Sequence, residues 1–337
     1  MINYIYQLVS PKVFSVVYSD ITIKDNVIIR PEYLSICHAD QRYYLGQRDS
    51  KTLSKKLPMA LIHECCGVVA CDPTNTFKKG QRVVVIPNVQ TEVDDVIFEN
   101  YNKNSYFLSS GHDGFMREFV DLSPDRVVPF DNIKPQIAAI SEFVSVGMHS
   151  TNRFDLCAHN HRDTIGIWGD GSLAYTMACI LTKKFPKSKI IVIGKDKRKL
   201  ALFSFVSKVY LADDLADGFF VDHAFECAGG EGSFFAIEDI IKYINPQGTV
   251  VLMGVSENKV PINTRMVLEK GLTFVGCSRS GRKDFENAVS FMEDQTFQKR
   301  LSVIIYEDDP VSNISDIQRV FATDLNTPFK TVFKWNM

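Results

Sequence analysis

The sequence predicts a two-domain α/β protein: a β-rich, barrel-like domain followed by a doubly wound parallel sheet. Three observations predict it. The chain has 337 residues, more than one simple core accommodates. Its first half is rich in short β-branched runs separated by glycine and proline. From residue 164 onward the pattern becomes strand, glycine turn, helix, strand, which requires crossover connections and a parallel sheet. The expected boundaries are 1–140 for the first domain, completed by 282–337, and 141–281 for the parallel-sheet domain.

Within the first domain, strands are predicted at 26–30 (NVIIR), 67–70 and 81–86 (QRVVVI), the last entered through a Lys79-Gly80 turn. An apolar helix-compatible stretch covers 137–149. In the second domain, strands are predicted at 164–168 (TIGIW), 189–193 (KIIVI), 222–226 and 248–253 (GTVVLM). A helix over 172–184 places Leu173, Met177, Ile180 and Leu181 at helical spacing. A last strand over 329–335 is expected to rejoin the first domain. No internal repeat or low-complexity segment interrupts this organisation.

Composition narrows the function. Net charge is -2 with no long run of one sign, which argues against nucleic acid or a membrane surface as partner. No run approaches a membrane span and the first ten residues are not a signal sequence, so a cytoplasmic location is expected. The eight cysteines are scattered through a large chain, which reads as reduced thiols with one or two doing chemistry.

Gly169-Asp170-Gly171-Ser172-Leu173-Ala174 follows the TIGIW strand and opens a helix. This is G-x-G-x-x-A in the context that binds a dinucleotide. Gly169 permits the tight turn, Gly171 lets backbone approach a pyrophosphate, and the helix start at Ser172 and Leu173 offers free N–H groups. The next strand ends Ile193-Gly194-Lys195-Asp196-Lys197-Arg198. An acid that would bind the ribose hydroxyls is replaced by Gly194, while Lys195, Lys197 and Arg198 suit a 2′-phosphate. NADPH is therefore the expected cofactor. Asp196 leaves a second register open, in which it would be the ribose ligand.

Cys37, His63 and Glu64 offer thiolate, imidazole and carboxylate, an ordinary zinc set. They lie in Ile36-Cys37-His38-Ala39-Asp40 and Leu61-Ile62-His63-Glu64-Cys65-Cys66-Gly67. These blocks resemble the zinc-binding segments of the medium-chain dehydrogenase/reductase superfamily, which includes alcohol and sorbitol dehydrogenases. Further blocks match in order: Lys79-Gly80-Gln81-Arg82-Val83, residues 114–120, Glu142-Phe143, residues 222–229 and residues 248–254. The resemblance implies a GroES-like catalytic domain joined to a Rossmann domain. It implies that Cys37 and His63 are zinc ligands, that Glu64 ligates the metal or lies beside it, and that Glu142 ligates directly or through water. Asp40 would hold the second ring nitrogen of the histidine. Residues 222–229 place Cys227 among the cofactor-binding positions. Residues 87–111 contain no cysteine, so one catalytic zinc and no structural zinc are expected; Cys65 and Cys66 read as core residues. Two departures stand out. Ala39 replaces the relay hydroxyl, leaving His38, Glu64 or water for that role, and Ile62 replaces the glycine before the ligand histidine.

Residues 30–46 and 61–67 are similar to the bacterial ribulose-5-phosphate reductases (ribitol-5-phosphate dehydrogenases) of teichoic acid and capsule synthesis. That resemblance implies reduction of D-ribulose 5-phosphate, a phosphorylated ketopentose, to D-ribitol 5-phosphate. The product would feed a cytidylyltransferase making CDP-ribitol. Superfamily members are homodimers or homotetramers. Arg42, Arg48 and Arg117 are candidate phosphate contacts. Three other readings remain: an NAD-dependent polyol or alcohol dehydrogenase of sorbitol dehydrogenase type, a zinc-free NADPH-binding protein or quinone reductase, and a structural protein that keeps only the fold.

Overall fold

A computed structural model describes all 337 residues. The chain forms two compact units, Met1–Ser145 with Arg279–Met337, and Val146–Ser278. In the first unit a seven-stranded sheet runs Val127–Pro129, Arg82–Val85, Glu64–Cys71, Val27–Ser35, Lys330–Trp335, Ile305–Val311, with Val120–Leu122 also paired to Val27–Ser35. A second sheet joins Val13–Asp20, Ile2–Ser10 and Met59–Ala60. The apolar positions of these strands and of the helix Ile314–Asp324 meet in one core containing Leu8, Leu34, Phe115, Phe321 and Phe333.

Lys330–Trp335 pairs antiparallel with Val27–Ser35, matching Phe333 to Leu34 and Val332 to Ser35. Late sequence thus forms the centre of the first unit.

The second unit holds six parallel strands in the order Lys208–Leu211, Lys189–Gly194, Thr164–Trp168, His223–Glu226, Thr249–Leu252, Thr273–Gly276. This is the doubly wound arrangement, with strand order reversing beside Thr164–Trp168. Ile165, Ile167, Val192, Phe225 and Val250 are fully covered or nearly so, because helices cover both faces of a parallel sheet. The sequence-predicted strand 164–168 and helix 172–184 coincide with Thr164–Trp168 and Ser172–Lys184. The apolar stretch over 137–149 instead spans two helices, Pro135–Ala138 and Ser141–Cys157, so Glu142 sits in the first turn of the longer one. No helix is long and apolar enough to cross a membrane.

Gly114 lets two segments meet. A Cβ there would stand on the carbonyl oxygens of Ile62 and Leu61, while Gly114 N donates to Ala60 O and Phe115 N to Ile62 O. These neighbours are backbone and cannot rotate away. Gly114→Ala should lower unfolding stability by about 2 kcal/mol or more, read from the urea midpoint at unchanged m-value.

Candidate active site

Asp40 organises the first unit's polar centre. Cys37 is the N-cap of the helix His38–Tyr44 and Asp40 its third residue. One carboxylate oxygen, Oδ2, accepts the Cys37 N–H at 3.1 Å. Cys-x-x-Asp is thus the spacing of a helix start, in which the third residue's carboxylate reaches back to the cap. The other oxygen, Oδ1, accepts Ile62 N–H at 3.0 Å and the Ser109 hydroxyl at 2.7 Å, and faces His63 Nδ1 at 3.5 Å. Burial pushes the carboxyl up, but the His63 charge and these donors outweigh it, so Asp40 titrates below its usual range. Burial depresses His63, yet Asp40 and Cys37 reverse this and hold it well above an ordinary histidine.

Ile62 has φ +69°, the left-handed region that β-branched residues avoid. Its N–H to Asp40 and its carbonyl to Phe115 N–H hold the turn. The strain, of order 1–2 kcal/mol, gives a reason why the superfamily pattern carries glycine at this place.

Ligand atoms of Cys37, His63 and Glu64 lie within 4.8 Å of one another. Glu64 is fully buried, with Oε1 paired to Lys330 Nζ and Oε2 without a hydrogen-bond partner. Lys330 Nζ also donates to Ile36 O at 2.8 Å and lies 4.8 Å from the centroid of the Phe143 ring. Glu142 stands outside the close group but shares its field: burial, reinforced by Glu64, pushes its carboxyl up to about 7 against the pull of His63. His38 is exposed at the helix start. Cys65 and Cys66 are buried and their thiols pushed up by burial. A thiol, an imidazole and an orphaned carboxylate oxygen in one buried cluster could hold a zinc ion.

In the second unit, Gly169 has φ +139° and a Cβ there would stand 2.8 Å from the Cys227 carbonyl carbon and oxygen. Cys227 therefore backs the turn with its main chain, and its own side chain is buried. Gly171 caps Ser172–Lys184 with nothing within 4 Å of a Cβ and no side-chain cap, leaving the N–H groups at Ser172 and Leu173 open to an anion. Gly194 is buried against Asp170: a Cβ would lie 2.7 Å from the Asp170 Cβ. Asp170 Oδ2 accepts Lys195 N–H at 2.7 Å and Asp196 N–H at 2.8 Å. The middle residue of Gly-x-Gly thus fills the place where an acid at 194 would project. Asp196 caps Lys197–Leu200 through Arg198 N–H, which occupies the carboxylate of the alternative register. Lys195, Lys197 and Arg198 are exposed, and Lys195 Nζ stands 4.8 Å from the Phe235 ring centroid.

Lys330, Ser109 and Asp170 carry no sequence signal of their own, because each joins its cluster by tertiary contact alone. The Lys330–Glu64 pair yields a test. Removing one partner of a buried pair leaves an uncompensated charge, so Lys330→Met should destabilise the metal-stripped protein by about 3–5 kcal/mol near neutral pH. Burial already raises Glu64 above its ordinary value, and loss of Lys330 raises it further. The folded state then keeps a proton that the unfolded chain releases, so stability falls as pH rises through the carboxyl range. The deficit should shrink as pH is lowered toward the carboxyl's ordinary range in urea titrations.

The chain matches the Alcohol dehydrogenase GroES-like domain over residues 23–132 and the Zinc-binding dehydrogenase family over residues 208–294. It is 55% identical to the ribulose-5-phosphate reductase of Streptococcus pneumoniae, covering 100% of this chain and 98% of that one. It is 50% identical to ribulose-5-phosphate reductase 1 of Staphylococcus aureus, with 100% of each covered. Among solved structures it is similar to S. aureus TarJ in complex with NADPH, with a TM-score of 0.89, 44% identity and 100% of each chain covered. Full-length similarity at this level shows family, and the chain belongs to the medium-chain zinc dehydrogenase/reductase superfamily, among its bacterial ribulose-5-phosphate reductases.

Proposed function

We propose that the protein reduces D-ribulose 5-phosphate to D-ribitol 5-phosphate with NADPH, at a zinc ion held by Cys37, His63 and Glu64. The observation that carries this reading is the thiol–imidazole–carboxylate cluster, its imidazole and carboxylate buried, in a chain of the reductase family. When bound, zinc supplies Lewis acidity toward the carbonyl oxygen and NADPH supplies the hydride. The chain's own residues do the rest. Asp40 fixes the His63 ring, and Lys330 holds one oxygen of Glu64 while the other has no hydrogen-bond partner and is free to bind a metal. Glu142 adds a carboxyl to the same field, acting on the metal directly or through water. Ala39 has no hydroxyl, so the proton that completes the alcohol comes from another group or from water.

The cofactor is bound in this reading by Gly169, Gly171 and the N–H groups of Ser172 and Leu173 at the pyrophosphate. Lys195, Lys197 and Arg198 take the 2′-phosphate beside Gly194, and Cys227 backs the turn. We further infer one zinc per chain, a homodimer or homotetramer, and a cytoplasmic location. The product would supply a cytidylyltransferase making CDP-ribitol for wall teichoic acid or capsule.

Initial rates of NADPH consumption test this. The reading expects turnover of D-ribulose 5-phosphate with NADPH and a preference over NADH of about tenfold or more, consistent with charge-assisted contacts to one phosphate. Lys195→Glu should raise the KM for NADPH and leave that for NADH less affected. Turnover of an unphosphorylated polyol with NAD alone would overturn the substrate and cofactor assignments together. Cys37→Ser should purify with less than stoichiometric zinc, measured by elemental analysis, and chelation should abolish wild-type turnover until zinc is restored.

A further inference from the structure

Arg279 is the feature of the first unit that neither the fold nor the metal cluster explains. Its φ is +59°, a left-handed conformation at a residue that is not glycine. The segment around it is pinned. Ser280 Oγ and Ser145 Oγ share a hydrogen bond of 2.6 Å. Arg282 N–H donates to the Glu99 carboxylate, and Gly281 is packed against the same side chain. Glu99 is itself held by the Arg126 guanidinium at 2.9 Å. These restraints hold the turn in a strained conformation, a state that persists only when the surroundings over-determine it.

The pinned turn delivers the side chain to the aromatic ring that flanks His63. The Arg279 guanidinium carbon lies 4.9 Å from the Phe107 ring centroid. The same ring meets His63 edge-on, 5.3 Å away centroid to centroid. Glu142 is the carboxylate whose charge reaches Arg279, and burial lowers the guanidinium's own proton affinity. The other cations considered are spoken for. Arg117 donates to Gly114 O and Asp113 O. Lys330 is taken by Glu64 and Ile36 O. Arg48 stacks on Tyr43, 5.1 Å from its centroid.

We propose that Arg279 is the receptor for the phosphate of the substrate, one aromatic ring away from the donors that face its carbonyl. The inference rests on the phosphorylated ketopentose of the proposed function and names the residue that recognises it. A guanidinium stacked on a ring face keeps its N–H edge open, and that edge matches two phosphate oxygens at once. Stacking and half-burial fix the side chain before the ligand arrives, so less rotamer freedom is lost on binding. The ketone and phosphate of a pentulose phosphate are joined by a short carbon chain, so both must be recognised within one side-chain layer, and Phe107 is that layer.

The test compares wild type, Arg279→Gln and Arg279→Lys, all zinc-loaded, on D-ribulose 5-phosphate and on D-ribulose with NADPH. The ratio of kcat/KM for the two substrates should fall about a hundredfold in Arg279→Gln, the order expected for losing a paired charge-assisted contact, and chiefly through KM. Arg279→Lys should recover part of that ratio, since it restores the charge without the planar fork. Calorimetric binding of D-ribitol 5-phosphate to the NADP-loaded protein should weaken in parallel. An equal loss on both substrates would make Arg279 a partner of Glu142 and overturn the proposal. An unchanged ratio in a variant whose wild type prefers the phosphate would place the receptor elsewhere and leave the proposed function standing. A wild type indifferent to the phosphate, in rate and in binding, would remove both readings.

Discussion

Everything in the catalytic unit's polar centre leans on the carboxylate of Asp40. It is fully buried, and its two oxygens tie together the Cys37 cap, the Ile62 turn, Ser109 and His63. Lys330, which reaches Ile36 O and Glu64, is a second side chain that touches both segments that supply the cluster. A buried carboxylate without such donors would take up a proton and release its partners. With them it stays charged, and the ring of His63 has one orientation. The helix His38–Tyr44 and the strand Glu64–Cys71 are thereby fixed relative to each other through a group that performs no chemistry.

The electrostatics of the cluster are lopsided. Asp40, Glu64 and Glu142 bring three buried carboxyls to the same field as Cys37, while Lys330 and Arg279 are the permanent cations that reach it. Proton uptake relieves part of this: Glu142 and Glu64 titrate high and His63 holds its proton. A dication at the cluster would relieve it more fully and would displace those protons. The pull toward a metal is thus built from burial, not only from the choice of donor atoms.

How much of this was legible in the sequence depends on whether a residue acts locally. Cys37 and Asp40 are readable because they fall in a block resembling the superfamily's, whose spacing the structure shows to be that of a helix start, and Gly169 and Gly171 because a strand and a helix bracket them. The four central strands of the second domain were legible because a buried parallel sheet writes itself as continuous apolar runs, whereas the two edge strands, Lys208–Leu211 and Thr273–Gly276, are less buried and were not. Lys330, Asp170 and Arg279 were not. Lys330 lies on a strand paired across nearly the whole chain, Asp170 occupies a position where motifs allow any residue, and Arg279 is recognisable only from a strained turn. Ile62 shows the converse: its departure from glycine was visible, but only the structure shows that the backbone keeps a left-handed turn in spite of it.

Lys330 stands 266 residues beyond the carboxylate it neutralises. On the ribosome, Cys37, His63 and Glu64 therefore emerge long before their counter-charge. During that interval the nascent segment offers metal donors with no lysine to restrain Glu64, and the strand that brings it must still insert beside Val27–Ser35. Any ion captured early meets a looser and more negative site than the finished one. Insertion of a single late strand then does two things at once: it closes the sheet and sets the charge of the site.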